Sequence, residues 1–222
     1  MNFSRKAALL CALIVGIAAS AAAQFGHRGP QTPKIPTPFK PVMGSGADYQ
    51  FTGKGQTAKF GYAVVGTGQA DGKEGYWLEI RIENKKMKGE MVMKELVVMN
   101  GTQPDIKRLI MQSPGQQAME MPASMMGMMK QHIPSGGDAS SNGLGEKIGT
   151  ESITVPAGTF ECDHYQTQQD GSTVDLWVST KVSPYGVVKM VSKDATMILQ
   201  KVLANETSHI QGEPRKVQMP HF

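Results

Sequence analysis

The chain is poor in the residues that usually announce a chemistry. Of 222 residues only two are cysteine, Cys11 and Cys162. Cys11 lies in an N-terminal stretch that reads as a removable leader, so the exported chain would keep one cysteine and form no internal disulfide. No CxxC, HExxH or GxSxG stands anywhere in it, so neither a zinc site of fixed spacing nor a serine nucleophile elbow is signalled. Gly66-x-Gly68 and Gly143-x-Gly145 lack a third glycine and lead into no helix, so they are turns and not phosphate loops. Aromatic residues make up only 6%. Charge of one sign is lacking too: 23 Lys+Arg stand against 19 Asp+Glu, and Arg5 and Lys6 belong to the leader. That near balance argues against dedicated nucleic-acid binding. No apolar run reaches the roughly 20 residues that a bilayer span requires.

What the N-terminus does have is an export pattern. Arg5 and Lys6 form a charged start, Ala7 to Ala18 an apolar segment, and Ala21 to Ala23 offer small residues for cleavage before Gln24. A retained anchor is the alternative. Leu10 precedes Cys11 where lipidation expects a small residue, so Cys11 is not read as a lipid attachment site. Residues 24–44 follow with Pro30, Pro33, Pro36, Pro38 and Pro41, an extended linker expected to lie outside the core.

From there the pattern is β. Tyr76, Leu78, Ile80 and Ile82 alternate with Trp77, Glu79, Arg81 and Glu83, one face in and one largely out. Residues 91–99 are apolar on both faces, as a central or covered strand would be. Residues 48–52, 58–65, 106–112 and 117–121 read as further strands, and residues 66–72 as a glycine-rich turn. After a Gly/Ser/Asn loop over 135–145 come strands over 147–155, 159–168, 173–179, 187–192 and 196–203. Asp170-Gly171 is the strongest hairpin signal. The Lys85, Lys86, Lys88 cluster reads as a solvated turn, with an anionic lipid or partner surface as its alternative. The domain is expected over 45–204, with a polar, loose tail over 205–222.

The densest feature is Gln117 to His132, which holds six of the sixteen methionines. Pro122 suits a first helical position, so a short helix is expected over about 122–132, stopped by Pro134 and Gly136-Gly137. Met125, Met126, Met128 and Met129 share one broad face of it. The fold expectation is therefore mainly β: a single curved antiparallel sheet, an open half-barrel, with one short methionine-rich helix in its concavity.

The segment Val155, Pro156, Ala157, Gly158, Phe160, Cys162 carries a V-P-A-G-x-F-x-C strand–turn–strand. With the strands around it, over roughly Ala47 to Leu203, it resembles exported bacterial proteins of the LolA/LolB-like type, and in particular domains of unknown function with that motif. The resemblance implies an open β-barrel with a helical lid over an apolar cavity that holds acyl chains.

Methionine is flexible and polarizable and adapts to irregular surfaces. A lid of Met121, Met125, Met126, Met128 and Met129 could thus grip an apolar ligand, or merely close the protein's own core. Thioethers also favour Cu(I), and Met119, Met121, Met125, Met128 and His132 form the alternative copper set. Cys162 and His164 share a strand face, but a lone cysteine is more often a small buried hydrophobe. No catalytic residue and no cofactor is implied. The expected role is a non-enzymatic binding protein of the periplasm or cell exterior, for an acyl chain, lipid or lipidated partner. It would touch the envelope membrane peripherally at most, bind no nucleic acid, and have no membrane span once the leader is gone. Periplasmic Cu(I) binding, and a structural or sensory envelope module that binds a protein partner, are the alternatives.

Overall fold

The strand-forming pattern produces twelve strands among the described residues. The computed structural model describes residues 37–53, 55–84, 88–101, 103–122, 144–169 and 171–216. The strands are β1 (Gly46–Gly53), β2 (Gln56–Ala70), β3 (Lys73–Asn84), β4 (Met91–Asn100), β5 (Gln103–Gln112), β6 (Met119–Glu120), β7 (Glu146–Val155), β8 (Gly158–Gln169), β9 (Ser172–Val178), β10 (Val187–Ser192), β11 (Ala195–Leu203) and β12 (Arg215–Lys216). They form one sheet in the order β12-β6-β5-β4-β3-β2-β1-β11-β10-β9-β8-β7. Two meanders, β1 to β6 and β7 to β11, are joined where β1 pairs with β11. Neighbours are antiparallel except at β12, which adds parallel to β6. The sheet is open, with β12 and β7 at its edges.

No helix occurs among the described residues, and none there is long and apolar enough to cross a membrane. The expected helix over 122–132 lies outside them apart from Pro122, as do the leader and most of the proline-rich segment.

Hairpin turns follow the glycine chemistry. Asp71 and Gly72 both have positive φ (52° and 72°), which matches the right-handed twist of the flanking strands. The glycine-rich turn expected over 66–72 is therefore only two residues long, and β2 runs on to Ala70. Gly66 and Gly68 stay in the strand because the Trp77 indole lies over them. A Cβ on Gly68 would stand 2.8 Å from Trp77 Nε1. Register slips by one residue at Val64/Gly66, Leu96/Val97, Asp48/Tyr49, Val187/Lys189 and Lys147/Gly149. Such bulges bend and twist a sheet, and β7 curls back close to β10 and β11.

Period-two alternation then sorts the two faces. Ala47, Tyr62, Ile80, Met93 and Met111 stand in one row across β1 to β5 on the inner face. Leu78, Leu176, Met197 and Leu199 on that face are fully buried, each contributing about 1.5–3 kcal/mol. The sparse aromatics are concentrated here. Phe39–Tyr185, Tyr185–Tyr62 and Tyr62–Tyr49 have ring centroids 5.6, 5.4 and 6.0 Å apart, and Tyr49 Oη donates to the Val187 carbonyl at 2.9 Å. Phe39 belongs to the segment expected to stay outside the core, yet it is 6% exposed. The Lys40 N–H holds that segment in place by donating to the Pro184 carbonyl (2.8 Å).

The outer face of β3 is also covered, which the alternation had read as largely solvent-facing. The cover is the tail expected to be loose. Ser208 Oγ donates to Glu79 Oε2 (2.7 Å), and the His209 N–H donates to both Glu79 oxygens (3.0 Å each). Arg81 Nη1 donates to Glu206 Oε2 (2.9 Å) and Nη2 to Asp48 Oδ1 (3.0 Å). Gln211 N–H donates to Gln112 Oε1 (2.9 Å), and Arg215 N–H to the Ala118 carbonyl (2.8 Å). Residues 206–216 thus form a strap that ends as β12. Arg81 reaches β1 because Gly61 lies between Asp48 and Arg81 in the same row. A Cβ there would sit 2.6 Å from Arg81 Nε.

Candidate ligand site on the inner face

Strand β4 places Met91, Met93, Glu95, Val97 and Met99 on the inner face by simple alternation, opposite Ile82, Ile80, Leu78 and Tyr76 of β3 where the two strands pair. Four of the five are apolar and one is a carboxylate. Glu95 stands between Leu78 and Leu109 in its row and is 4% exposed, and its Oε1 has no hydrogen-bond partner. An unpaired carboxylate in apolar surroundings favours its neutral form. Burial accordingly pushes the Glu95 carboxyl up to about 7. The nearby Tyr62 and Tyr185 hydroxyls are raised in turn, first by burial and then by the charge of Glu95.

At Glu95 lies a small void of about 10 Å³, lined by Glu95 itself with Phe39, Leu78, Val97, Pro104, Ile106 and Tyr185. That is room for one water-sized group. Around it the inner face continues in soft apolar side chains: Met93 is buried, while Met91, Met99, Met111 and Met121 pack on the core only partly buried.

Of the expected lid, only Met121 is among the described residues, where its N–H donates to the Leu109 carbonyl (2.9 Å) and its side chain packs on the core. Met125, Met126, Met128 and Met129 lie outside them. Of the copper set, Met119 stands on β6 opposite Met111, and His132 lies outside the described residues. Among those residues no group of three or more His, Cys, Asp or Glu side chains is placed to hold a metal.

Cys162 and His164 are not a working pair. Cys162 is buried, its Sγ 3.5 Å from the Phe160 carbonyl. Burial, and then the charges of Asp163, Glu151 and Glu161, push its thiol up to about 11, away from the thiolate a nucleophile needs. His164 turns instead to Glu151 (2.9 Å) and Asp175 (3.1 Å) and stacks on Trp177 with centroids 4.2 Å apart. Lys189 lies over the Trp177 ring at 4.7 Å, so this cluster is partnered within the fold.

Sequence reading passed over Glu95 because 91–99 looked apolar on both faces. The available signal was a single acidic residue at an inward position of that run.

A family model described as "Domain of unknown function (DUF4412)" matches residues 72–217. The chain belongs to this family. The DUF4412 match runs from the β2–β3 turn to just beyond β12, so it takes in Glu79, Arg81, Glu95 and the whole strap. No curated protein matches the sequence. Among solved structures, a candidate lipoprotein from Parabacteroides distasonis ATCC 8503 is 15% identical, with 75% of this chain and 98% of that one covered and a TM-score of 0.37. A candidate exported protein with a YmcC-like fold from Bacteroides fragilis NCTC 9343 is 13% identical, with 75% and 99% covered and a TM-score of 0.35. At these scores the overlaps are too loose to carry a functional argument.

Proposed function

We propose that this protein is an exported, non-enzymatic binding protein that holds an apolar or amphiphilic ligand against the inner face of its open sheet. The observation that carries the reading is the composition of that face at β4 to β6. Partly buried methionines, which adapt to varied shapes, share that face with one buried carboxylate whose Oε1 has no hydrogen-bond partner. Folds rarely tolerate an unsatisfied buried polar group without a use for it. The leader-like N-terminus supports delivery to the envelope or beyond, and the LolA-like resemblance supports an acyl chain, lipid or lipidated protein as the ligand. Recovery of the protein from its native envelope followed by lipid mass spectrometry should find a bound amphiphile. Protein that emerges without one, and that also fails to bind an added fluorescent apolar probe, would refute the proposal.

A second reading rests on a different observation. β7 is an edge strand of ten residues, seven of them exposed in succession, with Ile148 49% exposed at its bulge. An exposed edge can accept a strand from a protein partner. Crosslinking from a photoreactive residue at position 148 in cells should then trap a discrete partner, and only monomer would count against it.

A further inference from the structure

The proposed ligand site leaves open what the buried carboxylate is for. Glu95 is the acidic side chain on an otherwise apolar stretch of wall, and among the described residues no basic side chain pairs with it. Desolvation is the one influence on it, and the titratable groups near it are the Tyr62 and Tyr185 hydroxyls. Its Oε1 is shielded from solvent and unpartnered. The adjoining void has the volume of one small donor group, and two of the walls around it are aromatic, Phe39 and Tyr185. An ammonium group is water-sized, carries three donors and is attracted both to a carboxylate and to ring faces. An anionic head would meet Glu95 as a like charge. Along the wall from Glu95 run Met93 and Met111, paired across β4 and β5. Met93 is itself buried in the core, so the soft surface open to an alkyl chain is that of the partly buried Met111, Met91 and Met99.

We propose that Glu95 and the void beside it form the polar anchor of the site, taking the primary ammonium head of a long-chain amphiphile whose tail lies on the methionine wall. This rests on the binding reading above.

The test is displacement of the neutral probe N-phenylnaphthylamine by dodecylamine, dodecanol and dodecanoic acid, at about pH 8 so that both Glu95 and the amine are charged. The exported form of the protein is compared with Glu95→Gln and Glu95→Leu. The native protein should prefer the amine over the alcohol by about 10- to 100-fold, the usual range for a hydrogen bond to a charged group. Both variants should lose that preference, with amine displacement in each judged against the same variant's displacement by dodecanol. Leucine removes a buried charge, so Glu95→Leu supplies a folded control if Glu95→Gln is unstable. Equal displacement by all three compounds, or a preference that survives in the variants, overturns the anchor while leaving apolar binding intact. It would make Glu95 a carboxylate satisfied by one buried water. A preference for dodecanol overturns the ammonium assignment. Failure of every protein to bind the probe overturns the binding reading itself, and the anchor with it.

Discussion

Replacing Glu95 by Gln should flatten the pH dependence of folding stability between about pH 5 and pH 8. The carboxyl is raised from its ordinary 4.5 to about 7 in the folded protein. The folded state therefore keeps a proton that the unfolded chain has already released. The contribution is fully present below about pH 4.5, where both states are protonated, and is lost as pH rises through about 7. At 1.36 kcal/mol per unit the whole loss is about 3 kcal/mol, of which about 2–3 kcal/mol falls between pH 5 and 8. Urea unfolding followed by the fluorescence of Trp77 and Trp177 at those two pH values reads this directly. Other shifted groups, such as Asp48, which burial raises against the opposing pull of Arg81, are common to both proteins and cancel in the difference. Glu95→Leu should flatten the profile equally and be the more stable protein at about pH 8, since it replaces a buried unpaired charge with an apolar side chain. Parallel profiles for the native protein and both variants would show that Glu95 is not buried unpaired, and would refute the reasoning.

Gly61→Ala forces a Cβ to within 2.6 Å of Arg81 Nε and 2.8 Å of Asp48 Oδ1. It should cost about 1–3 kcal/mol in a thermal melt, and an unchanged melting temperature would mean that Arg81 does not cross there. Arg81→Met removes the donors to Asp48 and Glu206. A loss of about 2 kcal/mol is expected, below that of a fully buried pair because Asp48 is 41% exposed. Limited proteolysis should then cut within 205–216 first, and a strap as resistant as in the native protein would contradict the hydrogen bonding assigned to it. Native Cys162, buried and with a thiol pushed up to about 11, should react slowly with a thiol reagent at about pH 8 and rapidly once unfolded. Equal rates would show that its burial is wrong.

Much of the architecture is local information. Alternation over Tyr76 to Ile82 sets which side chains face inward, and β8 and β9 pair out to Gln169 and Ser172 as the Asp170-Gly171 hairpin signal expects. Short polar turns dictate antiparallel neighbours, so the two meanders and the mainly β, open sheet were readable residue by residue. The composition likewise marked methionine as the soft apolar residue of the fold. What alternation cannot state is what lies over a face. Glu79 and Arg81 read as exposed because their partners, Ser208, His209 and Glu206, come about 130 residues later in the chain. Gly66 and Gly68 read as a turn because the indole that requires their bareness arrives with the next strand. Phe39 read as linker because its partner ring, Tyr185, sits in a distant turn. Glu95 is the sharpest case. Its position on β4 was visible in the sequence, but its isolation is a property of every strand and turn packed around it. Only the tertiary structure could show that none of the described elements brings its Oε1 a partner.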